Sequence, residues 1–294
     1  MMRNYAFVLP VLLLLVSGNN EVGPRDMREA SGNSARSLFV TVSSTDSVRR
    51  MTEEAYAKAN GLSPSEIGER FAASGALRCP GGVSSAQVTG ARDVITTAAH
   101  SFRDLCKPHT LPERCIFEYY RGTERRFIPL SATLWMGSCA DAAPRAAVND
   151  WAIAKLAFPA EVTPYQIYER TEVLAELEHV LAVVGYDIEA TGKKDKYGQF
   201  NKTMQECQVR AAMDWATFQT NCEFEFGASG SALFRMRDNR MTLFGVLSGD
   251  HHDKDYCPKG GCEFKAGRWS SVYVTLKGEF KDRLLTVVSQ SAAR

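Results

Sequence analysis

From residue 76 to residue 276 the chain is a succession of short apolar runs cut by turn residues, and this pattern restricts the fold more than anything else. The runs are Ala86 to Thr89, Val94 to Thr97, Ile116 to Tyr120, Ala132 to Met136, Ile153 to Phe158, Val180 to Val184, Ala232 to Met236, Leu243 to Leu247 and Ser271 to Leu276. Several are rich in Val, Ile, Phe and Tyr, and clusters of Gly, Pro, Asn and Asp separate them. Such side chains fit a pleated, half-buried surface, and short strands punctuated by turns build sandwiches or barrels. The expected class is therefore all-β. A length of 294 residues suffices for one large domain or two smaller ones with a sizeable core.

Helical signals are confined to the two ends. Ser47 to Phe71 has a helical pattern, and Ser63-Pro64-Ser65-Glu66 combines a cap, a first-turn proline and a glutamate three residues after the cap. Phe280, Leu284, Val287 and Val288 recur at helical spacing and predict a C-terminal helix over 280–290. Val148 to Leu156 reads as a loop feeding a strand, and Thr163 to Ala175 fits either type of element.

Arg3 precedes an apolar run from Tyr5 to Val16, followed by small Ser17-Gly18 and polar Asn19-Asn20. This reads as a secretory signal peptide over residues 1–18. The rival, a membrane anchor, needs roughly 20 apolar residues and finds too few. Residues 19–75 read as an extension, linker or propeptide with short helices, and 76–290 as the main domain. The eight cysteines all follow the signal, and an even count in an exported chain points to disulfides. Zinc is the rival, but no pair has the two-residue spacing of a zinc knuckle. A net charge of +1 gives no basis for nucleic-acid binding or a polybasic membrane surface.

Three stretches carry possible chemistry. "TAAH" ends a β-branched run at His100. "NDWAIAKL" places Asp150 just before a strand. "GASGSALF" flanks Ser229 with Gly227 and Gly230, and such a loop can aim backbone N–H groups at one point. Singly, each also reads as an ordinary turn. Together they supply a nucleophile, a base and an orienting acid in the order His, Asp, Ser.

On these motifs, and in that order, the chain resembles the chymotrypsin/trypsin-like serine protease family. Weaker echoes are Val183-Val184-Gly185-Tyr186 and Phe244-Gly245-Val246-Leu247-Ser248-Gly249. The resemblance runs from about Ala76 to Leu284. It implies two six-stranded antiparallel Greek-key β-barrels, dividing near residues 160–180, with the active site between them. It implies His100 as general base, Asp150 as its orienting acid and Ser229 as nucleophile. The N–H groups of Gly227 and Ser229 would form the oxyanion hole, and Ser248 and Gly249 would line the cleft.

The sequence departs from the family pattern in places. Ala228 stands where trypsin-type zymogens carry the aspartate that pairs with a freed N-terminus. Ser231 replaces a second glycine, and Ser101 removes the cysteine usual after the histidine. The expected disulfides are Cys207 with Cys222 and Cys257 with Cys262; of the three ways to pair the remaining four, Cys79 with Cys106 and Cys115 with Cys139 is the one chosen without a sequence argument. Glu223 or Glu225 is either a pocket acid for a basic side chain or a surface carboxylate. His251-His252, beside Asp250 and Asp253, reads as a solvated loop.

The implied function is a secreted or periplasmic serine endopeptidase acting on protein or peptide substrates, with no cofactor or metal and no stable membrane anchor. A catalytically silent, peptide-binding relative is the alternative. An α/β-hydrolase esterase, with His251 or His252 as base, would need alternating helices that the sequence lacks.

Overall fold

The computed structural model describes residues 50–104, 106–139, 147–168, 178–187, 201–213, 215–224, 226–237, 240–252 and 269–292. The signal-peptide reading and the Cys257–Cys262 pair lie outside the described residues.

Six strands form the first barrel: β1 (Ser74–Cys79), β2 (Gly82–Val88), β3 (Val94–Thr97), β4 (Ile116–Arg121), β5 (Glu124–Met136) and β6 (Ala152–Leu156). They pair antiparallel and close in the order β1-β2-β3-β6-β5-β4. The second barrel has β7 (His179–Asp187), β8 (Asn201–Ala212), β9 (Thr217–Thr220), β10 (Ala232–Arg237), β11 (Arg240–His252) and β12 (Trp269–Thr275). Its closed order is β7-β8-β9-β12-β11-β10, the same path as in the first barrel. The expected pair of six-stranded antiparallel barrels is therefore observed.

The barrels meet where backbone touches backbone. A Cβ on Gly185 of β7 would lie 2.1 Å from the carbonyl oxygen of Gly75 in β1, so only glycine fits. β7 is buried on both faces. Leu181 and Val183 join the core shared with the first barrel, while Val180, Ala182 and Val184 fill the second. That is why its sequence is a continuous apolar run rather than an alternating one.

The N-terminal helices are α1 (Glu53–Asn60) and α2 (Pro64–Arg70). Ser63 caps α2 in a full capping box with Glu66, as its sequence predicts. Tyr56, Ile67 and Phe71 are buried in the apolar cluster that both barrels share. Met51–Thr52 ahead of them pairs with Thr203–Met204 of β8. The C-terminal helix α3 (Gly278–Ala292) extends slightly past its expected limits and stacks Phe280 on Trp151, with ring centroids 4.8 Å apart. No helix among the described residues is long and apolar enough to cross a membrane.

Three strands were not foreseen: β1, β8 and β9. β8 is the most instructive. Lys202, Thr203, Gln205 and Glu206 are buried there, so hydrophobicity gives no sign of the strand. Several of their polar atoms are met by other elements: Lys202 donates to the Phe71 carbonyl at 2.9 Å and Thr203 to Asp187 at 2.8 Å.

The disulfides correct part of the expected pairing. Cys207–Cys222 forms as expected, but Cys79 pairs with Cys115 and Cys106 with Cys139. The register explains the exchange. Cys79 ends β1 and Cys115 precedes β4, and these neighbouring antiparallel strands bring the two Cα atoms to 4.3 Å.

Candidate active site

The histidine loop leaves β3 at Thr97. Ala98 and Ala99 are fully buried, and a single 3-10 turn (Ala99–Ser101) turns His100 outward. Larger residues at 98 and 99 would hold the turn away from the barrel.

Asp150 arrives from the opposite side, just before β6. Its loop is braced at several points. Arg103 donates to the carbonyls of Gly137 and Asn149 at 2.8 and 3.0 Å. A Cβ on Gly137 would strike the Asn149 carbonyl at 2.3 Å, so the two loops pack backbone to backbone. Trp151, 2% exposed, anchors the following residue against α3.

The aspartate and histidine meet in a two-point contact. Oδ1 of Asp150 accepts the His100 backbone N–H at 2.8 Å, and Oδ2 lies 2.7 Å from ring Nδ1. A carboxylate can only accept, so Nδ1 carries the proton and Nε2 presents its lone pair. The Ser248 hydroxyl also donates to Oδ2, at 2.7 Å. Burial opposes a charged imidazole, but the hydrogen bond and negative charge of Asp150 outweigh it. The His100 pKa is raised above the ordinary 6.5.

Ser229 lies on the loop before β10. Gly227 has φ +95° and Gly230 φ +80°, conformations that favour glycine. A Cβ on Gly230 would sit 2.3 Å from Thr97 Oγ1 and 2.9 Å from the Ala98 nitrogen. The loop thus presses directly on the root of the histidine turn. Ser229 Oγ makes no protein hydrogen bond among the described residues, so hydrogen bonds join His100, Asp150 and Ser248 but do not extend to Ser229.

The carbonyls of this loop all point inward. Gly227 O accepts from Ser85 Oγ at 2.9 Å, Ala228 O from the Ser231 N–H at 2.9 Å, and Ser229 O from the Ser85 N–H at 2.8 Å. Ser231 Oγ also donates to Ala228 O. In a trans peptide the N–H opposes the preceding C=O, so the tie on Ala228 O directs the Ser229 N–H away from the Ala228–Ser231 turn. Neither the Gly227 nor the Ser229 N–H meets a protein acceptor among the described residues.

The cleft residues divide in role. Ser248, expected only to line the cleft, spends its hydroxyl on Asp150. Gly249 lies at a register shift between Leu247 and Gly249 in the β11–β12 pairing, with open space where a side chain would be. Glu223 is half-buried and its N–H donates to Gln205 at 2.9 Å, and His251-His252, expected in a loop, instead ends β11 paired with Ser270 and Trp269 of β12; Glu225 and the two histidine side chains lie outside what is described. No group of metal-ligating residues occurs among the described residues. Sequence reading missed Ser85, because a serine inside a strand carries no local signal of a distant partner.

No protein-family model and no curated protein sequence matches the chain. Among solved structures, a Glu endopeptidase in complex with MPD is similar to it, with a TM-score of 0.56 and 13% sequence identity. The match covers 74% of this chain and 91% of that one. With two six-stranded antiparallel barrels of identical strand path, the chain has the fold of the chymotrypsin-like serine proteases.

Proposed function

We propose that the protein is a serine endopeptidase that hydrolyses peptide bonds through an acyl-enzyme. The observation that carries this reading is the two-point contact between Asp150 and His100, which leaves Nε2 to act as a base, and Ser229 is read as its partner because Gly230 packs on the Thr97–Ala98 segment leading to His100. Nε2 takes the Ser229 proton as Oγ attacks the scissile carbonyl. The N–H groups of Gly227 and Ser229 stabilise the oxyanion. The imidazolium, steadied by Asp150, returns the proton to the leaving amine. Water then attacks the ester by the same route in reverse. The open backbone at Ser248 and Gly249 offers an edge on which a substrate strand pairs.

A free serine hydroxyl does not weigh against this, because catalytic hydrogen bonds are often long until substrate is bound. The disulfides suit an oxidising compartment, which agrees with export through the 1–18 segment.

The test is labelling of the purified protein with a fluorophosphonate probe. Wild type is expected to label at Ser229, with labelling abolished in Ser229→Ala and His100→Ala. Absence of labelling in a folded wild type would overturn the enzyme reading and leave a peptide-binding protein on a protease fold.

A further inference from the structure

We infer that Ser85, on β2 of the first barrel, is the positioning residue that sets the oxyanion hole of the second barrel. The inference rests on the endopeptidase reading above.

Ser85 is fully buried and grips the nucleophile loop on both sides of Ala228. Its Oγ donates to the Gly227 carbonyl at 2.9 Å, and its N–H donates to the Ser229 carbonyl at 2.8 Å. The same Oγ accepts the Tyr186 N–H at 3.0 Å. Tyr186 in turn lies against Gly227, where an added Cβ would be 2.3 Å from the ring. The Ser85 hydroxyl thus anchors the 227–228 peptide and the backbone N–H of Tyr186, whose ring packs on Gly227, while the Ser85 N–H anchors the 229–230 peptide, so Ser85 holds the Cα atoms of Gly227 and Ser229 from which the two N–H groups of the hole project. The Ser85 carbonyl accepts from Thr97 Oγ1 at 2.7 Å, which ties the same residue to the strand leading to His100.

Gly227 needs such a hold. Glycine has the widest conformational freedom, and without an anchored carbonyl and a ring packed on its Cα the residue can shift and carry its N–H out of the hole. An acid at 228 could fix the loop from within by an ion pair, but Ala228 is 2% exposed and carries only a methyl group. In this chain the restraint comes from across the barrel interface, and it requires no freed N-terminus.

The experiment compares fluorophosphonate labelling kinetics and thermal melting of wild type, Ser85→Ala and Ser85→Cys. The alanine variant keeps the backbone N–H and loses only the hydroxyl. It is expected to fold, bind the probe with an unchanged inactivation constant KI, and phosphonylate at least about tenfold more slowly. Ser85→Cys, with a weak donor of similar size, is expected to fall between. A rate loss accounted for by unfolding, or matched by a rise in KI, overturns the proposal, as does a folded Ser85→Ala labelled at the wild-type rate. Failure of the endopeptidase reading is distinct: there wild type itself does not label, and the proposal falls with it.

Discussion

At the residue scale the site depends on one proton. In the proposed mechanism His100 can act as base only when neutral, and Asp150 favours its charged form. Activity is therefore expected to rise with pH through a value above 6.5, the ordinary imidazole value. Asp150→Asn removes the charge that raises this pKa and presents an amide to Nδ1. Its acid limb is expected to move to lower pH, and kcat to fall on the order of 10⁴-fold, the loss known when a triad acid becomes an amide. A pH–rate profile of the variant checks both effects. An unmoved limb would show that Asp150 does not control the imidazole. The His100–Asp150 pairing could be anticipated here because each residue lies in a short stretch of special composition. The second role of Ser248 could not, because its hydroxyl finds Asp150 through folding, 98 residues away in sequence.

At the scale of elements, α1 is fastened to β8 by a carboxyl that resists ionisation. Burial raises Glu206 from 4.5 to about 7, and the Tyr56 hydroxyl donates to Oε1 at 3.3 Å. Oε2 is buried and has no hydrogen-bond partner. The folded state thus holds this proton between pH 4.5 and about 7, where the unfolded chain has released it. Stability is lost as pH rises through that window and levels off above it. Glu206→Gln is expected to flatten this part of the stability curve and to raise Tm at pH 8 relative to wild type. Thermal melts from pH 4 to 8 measure it, and an unchanged slope would show that Glu206 is not the group responsible. β8 was illegible for the same reason. Its buried polar residues gain partners only from elements far away in sequence, so no local period marks the strand.

At the scale of the whole molecule, the N-terminal helices belong to the core. Tyr56, Ile67 and Phe71 are 4%, 3% and 0% exposed. Burying each stabilises by about 1.5–3 kcal/mol, together a large part of the about 5–15 kcal/mol that holds a domain folded. A chain starting at residue 76 is expected to show no cooperative melt, whereas one starting at residue 50 melts near the full-length protein. Circular dichroism with heating distinguishes them. A stable chain from residue 76 would make the helices dispensable, as a removable propeptide would be. The sequence reads them as an extension because their composition differs from the barrels, and composition does not reveal what a helix packs against.

The sequence by itself determined the strand-rich class, the capped helix at Ser63, the C-terminal helix, and the three motifs around His100, Asp150 and Ser229. These are local properties: period, capping and turn chemistry act over a few residues. The tertiary structure decided the rest. It chose the partners of Cys79 and Cys106, buried β8, seated the N-terminal helices in the core, and placed Ser85 beneath a loop more than 140 residues away. Those outcomes depend on which strands become neighbours when a barrel closes, and closure is a property of the whole chain.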